Sequence, residues 1–196
     1  MTGYSSDKAN AAARLIWSLW RAGETCDALP DACRPHTAAE GYAAQAQLPG
    51  VAGRELLGWK IAATSLAGQA HIQVSGPLAG RLLSGQVTDD GATLSLAGNR
   101  MRVAEPEFCF RMARDLPPRA TPYAQDEVMA AVGALHLALE VPDSRFEVFE
   151  KAGEAQLIAD LACAGPVIFG DFRPVIFATQ PSGARLPLRM ARWPCL

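Results

Sequence analysis

Long apolar runs are missing from this sequence, and so is any excess of positive charge. No stretch approaches the roughly 18 consecutive apolar residues that would cross a bilayer, which argues against a membrane protein. The formal net charge of −2 leaves no basic face for neutralising phosphates, so a nucleic-acid partner is not expected. Cysteine is sparse and unpatterned: Cys26, Cys33, Cys109, Cys163 and Cys195 are odd in number and contain no CxxC pair, the usual announcement of a zinc site. Cys26 and Cys33 flank a Pro-containing loop, but the odd count argues against a disulfide framework. Internal repeats and low-complexity segments are also lacking. Met1–Asn10 is polar, with no apolar segment behind a basic start, and so does not read as a secretory signal. The expectation is a reduced, soluble, cytoplasmic protein.

What is present is a large apolar fraction, 49% of 196 residues, enough for one domain with a sizeable core, or one with a small appendage. Ser6 or Asp7 can cap a helix in which Ala12, Leu15, Ile16, Leu19 and Trp20 recur at three- and four-residue spacing, with Gly23 as its stop. Thr37-Ala-Ala-Glu40 has the form of a capping box and opens a second helix towards Gln47. From Leu56 the texture changes. Leu57 to Ala62 reads as a strand and Ser65 to Ile72 as a short helix, and the next stretch is punctuated by Gly76, Pro77 and Gly80. Strands are expected at 92–96, 101–112, 136–141 and 166–169, with helices at 126–135 and 153–163. Interleaving of this kind gives an α+β class with a mostly β core.

The chemistry concentrates in three places. In Val103-Ala-Glu105-Pro-Glu107-Phe-Cys-Phe110, alternate strand residues share a face. Glu105 and Glu107 therefore point one way, and Phe108, Phe110 and Met112 the other. Two adjacent carboxylates repel each other, which makes sense around a hard divalent cation that wants oxygen ligands; the plainer alternative is a solvated strand face with two ordinary acids. Pro106 cannot donate to a ladder and so places the segment at an edge or bulge. In Leu137-Ala-Leu139-Glu140-Val141, the odd positions are expected to face the core, turning Glu140 the other way as a third acid. Asp143 and Arg145 come next, in a turn that they can stabilise. In Gly58-Trp-Lys60-Ile-Ala-Ala-Thr64-Ser65, Lys60 reads first as a snorkelling edge residue; alternatively it is a cation placed to hold a substrate carboxylate or move a proton.

Taken in order, these blocks resemble the 2-keto-4-pentenoate hydratase and 4-oxalocrotonate decarboxylase group of the fumarylacetoacetate hydrolase-like superfamily. The blocks are Glu40-Gly-Tyr42-Ala-Ala-Gln45, Gly58 to Ser65, Ser75-Gly-Pro77-Leu-Ala-Gly80, Glu105-Pro-Glu107, Leu139 to Arg145 and Gln156 to Cys163. The resemblance implies a fumarylacetoacetase-like mixed β-roll with flanking helices. It divides the chain into an N-terminal helical segment (1–54), a catalytic domain (55–178) and an atypical tail (179–196). It implies Mg²⁺ or Mn²⁺ held by Glu105, Glu107 and Glu140, and Lys60 as the catalytic lysine. Thr64, Gln69, Asp143 and Asp160 become candidates for substrate binding. The implied activity is a hydro-lyase that adds water to a 2-hydroxy-dienoate such as 2-hydroxypenta-2,4-dienoate, in aromatic-compound catabolism. The implied partners are a small 2-oxo or 2-hydroxy acid and further copies of the chain in a homo-oligomer. The rival within the group is a 4-oxalocrotonate-type decarboxylase.

After about Gly170 the resemblance fails. Ala178–Leu196 carries Arg185, Arg189 and Arg192, no acids and no period, so a truncated or out-of-frame ending that lacks the last strands is expected, and with it the third possibility of an inactive relative. Other groups carry less. His36 and Glu40 could form an acid–base dyad, but the capping box already accounts for Glu40. His71 reads as a pocket-rim or packing residue and His136 as a group that could orient Glu140. The Ser75–Gly80 loop lacks the lysine of a P-loop.

Overall fold

The chain begins with a helix whose ends are set locally. In the computed structural model, which describes residues 3–174 and side chains as far as residue 170, α1 spans Ser6–Ala22. Its cap is Ser5, one residue ahead of the expected pair, with its hydroxyl accepting from the Lys8 N–H. Gly23 closes the helix in a left-handed conformation, its N–H donating to the Leu19 and Trp20 carbonyls, where an L side chain would be strained. The apolar stripe buries Ala9, Ala12, Ala13, Ile16 and Leu19. The capping box forms as expected: Thr37 accepts from the Glu40 N–H, and Glu40 accepts from the Thr37 N–H. It opens α2 (Ala38–Gln45), which stops short of Gln47 and leads into α3 (Leu48–Ala52).

Two sheets come next. β1 (Leu56–Ala62) pairs antiparallel with β2 (Leu78–Leu83), with Lys60 opposite Gly80. Between them α4 (Leu66–His71) is capped by Ser65. The second sheet has the order β3-β6-β5-β4, formed by β3 (Val87–Asp89), β4 (Glu105–Met112), β5 (Val132–Glu140) and β6 (Val167–Pro174). β3 and β6 are parallel, with Val87 opposite Val167. β4 is the last strand in that order, where Pro106 interrupts no inner ladder. α5 (Gln125–Met129) and α6 (Glu154–Ala159) complete the regular elements. Everything before Phe110 together with His136–Asp171 forms one compact unit, and Phe110–Leu135 belongs to a second. The 1–54 segment thus shares a unit with most of the residues expected to form the catalytic domain. The atypical tail 179–196 lies outside the described residues.

Several expectations need correction. No strand forms at 92–96; the third strand lies earlier, at 87–89. The helix expected over 126–135 ends at Met129, and the chain from Val132 is already strand β5. The helix expected over 153–163 ends at Ala159, after Gly153 and before a short 3-10 turn at Leu161–Cys163. The core is not mostly β. Its largest fully buried side chains, Ile16, Leu29, Leu48, Phe146, Leu157, Ile158 and Leu161, lie on helices and loops, with Leu83 from β2. Each apolar side chain of that size contributes about 1.5–3 kcal/mol when buried.

The facing of β5 is also reversed. The buried set is Ala134, Ala138 and Glu140, while Leu137 is 61% and Leu139 37% exposed. On β4, Phe108, Phe110 and Met112 are exposed, and so is Glu107 on the other face. Small residues can pack closely where the strand meets the rest of its unit; the larger ones take the open side. No helix among the described residues is long and apolar enough to cross a membrane.

Candidate metal centre

Glu105 and Glu107 share one face of β4 because two residues make one full pleat repeat. Glu140 ends β5 on that strand's buried side. The result is a triangle of carboxylates, half-buried, exposed and buried in that order, with one oxygen from each lying within 4.8 Å of the others. Oxygens sharing one ion at roughly 2.1–2.6 Å can be no more than about 4–5 Å apart, and this set meets that limit. All three donors are hard oxygens, the type that Mg²⁺, Mn²⁺ and Ca²⁺ prefer. The residues present therefore fit a divalent cation.

Lys60 enters from β1. Its Nζ lies 3.3 Å from Glu140 Oε2 and donates to the Ala162 carbonyl at 3.2 Å. Both side chains are almost fully covered, at 10% and 3% exposure. The snorkelling reading of Lys60 is thus overturned, because the ammonium turns inward to an ion pair. The second Glu140 oxygen accepts from the Gly165 N–H at 3.3 Å. Burial pushes the Glu140 carboxyl above the ordinary glutamate range, and Glu105 adds to this, while Lys60 and the Gly165 N–H pull it back. Glu107 is also pushed up, first by partial burial of its carboxyl end and then by Glu105, against the pull of Lys60.

Glu105 and Glu107 open onto a cavity of about 600 Å³ that Lys60 also lines. Its walls are largely apolar, with Ile61, Ile72, Leu78, Val103, Phe149 and Leu157 among them. Thr64 and His71 line it too, and the His71 ring meets Phe149 edge-on at 6.0 Å. The remaining candidates are occupied elsewhere. Gln69 donates to the Ala63 carbonyl and is not a wall residue. Asp143 fastens a loop by accepting from the Arg100 and Met101 N–H groups. Asp160 is wholly buried, ion-paired with Arg145 and hydrogen-bonded to the Ser144 hydroxyl and the Arg145 N–H. Neither aspartate lines the cavity; Asp143 serves the turn and Asp160 the buried network around Arg145. His136 sits on β5, its Nδ1 3.4 Å from the Gly170 carbonyl oxygen. Glu40 is used in its capping box. Cys26 and Cys33 are free thiols.

Known proteins point the same way. No family model matches the chain. A 4-oxalocrotonate decarboxylase of Pseudomonas sp is 34% identical over 118 residues, covering 60% of this chain and 44% of that protein. 2-Keto-4-pentenoate hydratase 2 of Dechloromonas aromatica (strain RCB) is 33% identical over the same length and with the same coverage. This chain is related to the 4-oxalocrotonate decarboxylases and 2-keto-4-pentenoate hydratases. It matches less than half the length of these curated relatives. In fold it is similar to the 4-oxalocrotonate decarboxylase from Pseudomonas putida G7 solved with magnesium and adipate. That likeness has a TM-score of 0.73 at 22% identity and covers 86% of this chain and 64% of the other.

Two backbone groups that hold the Lys60–Glu140 pair, the Ala162 carbonyl and the Gly165 N–H, were not foreseeable from the sequence pattern. Leu161, Ala162 and Cys163 all have positive φ, 56°, 51° and 62°. None of the three is the Gly or Asn that would have announced such a turn. Gly80 was the available signal, and it read only as punctuation.

Proposed function

We propose that the protein is a divalent-metal hydratase that adds water to a short 2-hydroxy-dienoate, such as 2-hydroxypenta-2,4-dienoate, giving a 4-hydroxy-2-oxo acid in aromatic-compound breakdown. The observation that carries this reading is the convergence of Glu105, Glu107 and Glu140 beside Lys60, next to a cavity that Glu105, Glu107 and Lys60 line. Mg²⁺ or Mn²⁺ held by the three carboxylates would supply Lewis-acid polarisation of the substrate's 2-oxygen and carboxylate. In the reaction, the 2-hydroxyl gives up its proton, carbon 5 gains one, and water then adds across the remaining 3,4 double bond at carbon 4. Lys60 Nζ is the group placed to hold the substrate carboxylate or to carry a proton, and Glu140 keeps that ammonium oriented. The apolar walls accept the hydrocarbon tail and limit bulk water around the reacting carbons.

Decarboxylation of a 4-oxalocrotonate-type substrate is the second reading, favoured by the identity to a decarboxylase. The lining speaks for the hydratase. Among the described wall residues Lys60 is the one lysine or arginine, and with it engaged at the first carboxylate or in proton transfer, a second substrate carboxylate meets no cation of its own. Loss of dienol ultraviolet absorbance that requires Mg²⁺ or Mn²⁺, with a hydroxy-oxo acid product, is the expected result. CO₂ release would replace it with the decarboxylase. Mn²⁺ binding with no turnover of either substrate would make the chain an inactive relative.

A further inference from the structure

Three consecutive non-glycine residues in the left-handed region are rare, because each Cβ crowds the following carbonyl. Leu161, Ala162 and Cys163 form such a run, and all three are buried. Strain of this kind persists only where the surroundings enforce it, and it tends to gather where geometry matters to function. Here the enforcing contacts are visible. Gly80 stands opposite Lys60 in the β1–β2 ladder. A Cβ on Gly80 would lie 1.9 Å from the Leu161 carbonyl oxygen and 3.2 Å from Lys60 Cγ, so only glycine lets the turn descend onto the lysine. A Cβ on Gly165 would lie 1.9 Å from the Val141 carbonyl oxygen, so glycine is equally needed where the segment leaves the site. The Cys163 carbonyl accepts from the Asp143 N–H, and Gln86 Nε2 donates to the Ala164 and Gly165 carbonyls. These contacts fasten the segment over residues 163–165.

What it delivers is a carbonyl and an N–H. The Ala162 carbonyl accepts from Lys60 Nζ, and the Gly165 N–H donates to Glu140 Oε1. We propose that residues 161–165 are a positioning clamp for the Lys60–Glu140 pair, with Ala162 fixing the ammonium through its carbonyl and Gly80 admitting the turn. The lysine's direction is then set by backbone, which cannot swing as a side chain can. The link to turnover rests on the hydratase reading; the clamp itself does not.

The test exploits the fact that the chain has only three lysines, Lys8, Lys60 and Lys151. Gly80→Ala places a Cβ 1.9 Å from the Leu161 carbonyl oxygen and must push the turn away from Lys60. Amine-reactive ester labelling of the metal-free chain, read by mass spectrometry, should show Lys60 at least fivefold more reactive than in the parent, with Lys8 and Lys151 unchanged. On the dienol substrate, kcat should fall at least fivefold with KM within twofold. A purely structural turn would change melting alone. Ala162→Gly keeps the carbonyl and adopts the left-handed conformation at no steric cost, so it should leave Lys60 labelling at the parent's level. If Gly80→Ala does not fold, Gln86→Leu, which removes the donor to the Ala164 and Gly165 carbonyls, decides. Lys60 reactivity equal to the parent's in the folded variant overturns the clamp. A parent that turns over no dienol would defeat the hydratase reading and leave the labelling result to judge the clamp.

Discussion

Lys60→Met removes the ammonium from beside Glu140 while keeping most of the side chain's volume. The Glu140 carboxylate is 2% exposed, so it is left as a buried charge with one N–H donor. Breaking such a pair costs about 3–5 kcal/mol, but Glu140 has an escape in protonation. Protonating an unfolded-state glutamate costs about 1.4 kcal/mol for each pH unit above its ordinary value of about 4.3, hence about 3.7 kcal/mol at pH 7 and about 1 kcal/mol at pH 5. That sets a ceiling on the charge penalty at each pH. The Ala162 carbonyl, left without its donor, adds about 1 kcal/mol at either pH. The direction comes from linkage: in the variant the folded-state value is raised above the unfolded one, so the penalty is absent below about pH 4.3 and grows as pH rises towards the folded value. The loss relative to the parent should therefore be larger at pH 7 than at pH 5, by at most about 2.7 kcal/mol from Glu140, and Glu107, which also loses the pull of Lys60, adds in the same direction. At about 2–4 °C per kcal/mol for a chain of this size, the Glu140 part is at most about 5–10 °C. Thermal melts of parent and variant in chelator, at both pH values, read this directly. A loss that is the same at pH 5 and pH 7, or larger at pH 5, would refute the buried-pair argument.

Two further perturbations separate ligand from scaffold. Glu107→Ala removes a carboxylate whose protonation is already favoured by partial burial and then by its neighbour Glu105, so melting should move little. Mn²⁺ affinity should fall by more than the roughly 10–100-fold that outer-sphere partners cost; unchanged Mn²⁺ binding by calorimetry would remove Glu107 from the ligand set. Asp160→Ala strands the buried Arg145 guanidinium, which also lies over the Trp20 ring at 4.1 Å. It should cost about 3–5 kcal/mol and leave Mn²⁺ affinity of the folded chain unchanged. A melting temperature within a degree of the parent's would show that the network is not structural.

Local chemistry made part of this legible from sequence. The capping box at Thr37–Glu40 and the glycine stop at Gly23 rest on hydrogen bonds within a few residues, and both appear. The Glu105–Glu107 half of the carboxylate triangle was readable because strand periodicity forces the two onto one face; Glu140 as its third acid came with the family resemblance. Periodicity, however, says which residues share a face and not which face is buried. On β5 hydrophobicity assigned Leu137 and Leu139 to the interior, but the interior took Ala134, Ala138 and Glu140. The pairing of β3 with β6 joins residues about 80 positions apart, and no local signal reports that. The left-handed turn at 161–163 was hidden for the same reason, since its conformation is imposed by Gly80 from another strand and not by its own residue types.

The same turn bears on whether Lys60 and the proposed metal ion would compete for Glu140. Three carboxylates beside one ammonium leave two negative charges at the head of a largely apolar cavity. Protonation can neutralise them, and the upward shifts of Glu107 and Glu140 show that burial pushes that way; above pH 6 it becomes steadily more costly. A second lysine would fill the space a substrate needs. A divalent cation balances the charge within the volume of a single ion, and it needs one oxygen of Glu140 at most. Because the Gly165 N–H and Lys60 each address a different Glu140 oxygen, and the Ala162 carbonyl keeps Lys60 where it is, the carboxylate can turn towards an ion without freeing the lysine. On the proposed metal reading, the backbone at 161–165 would hold Lys60 in place while Glu140 addressed an ion.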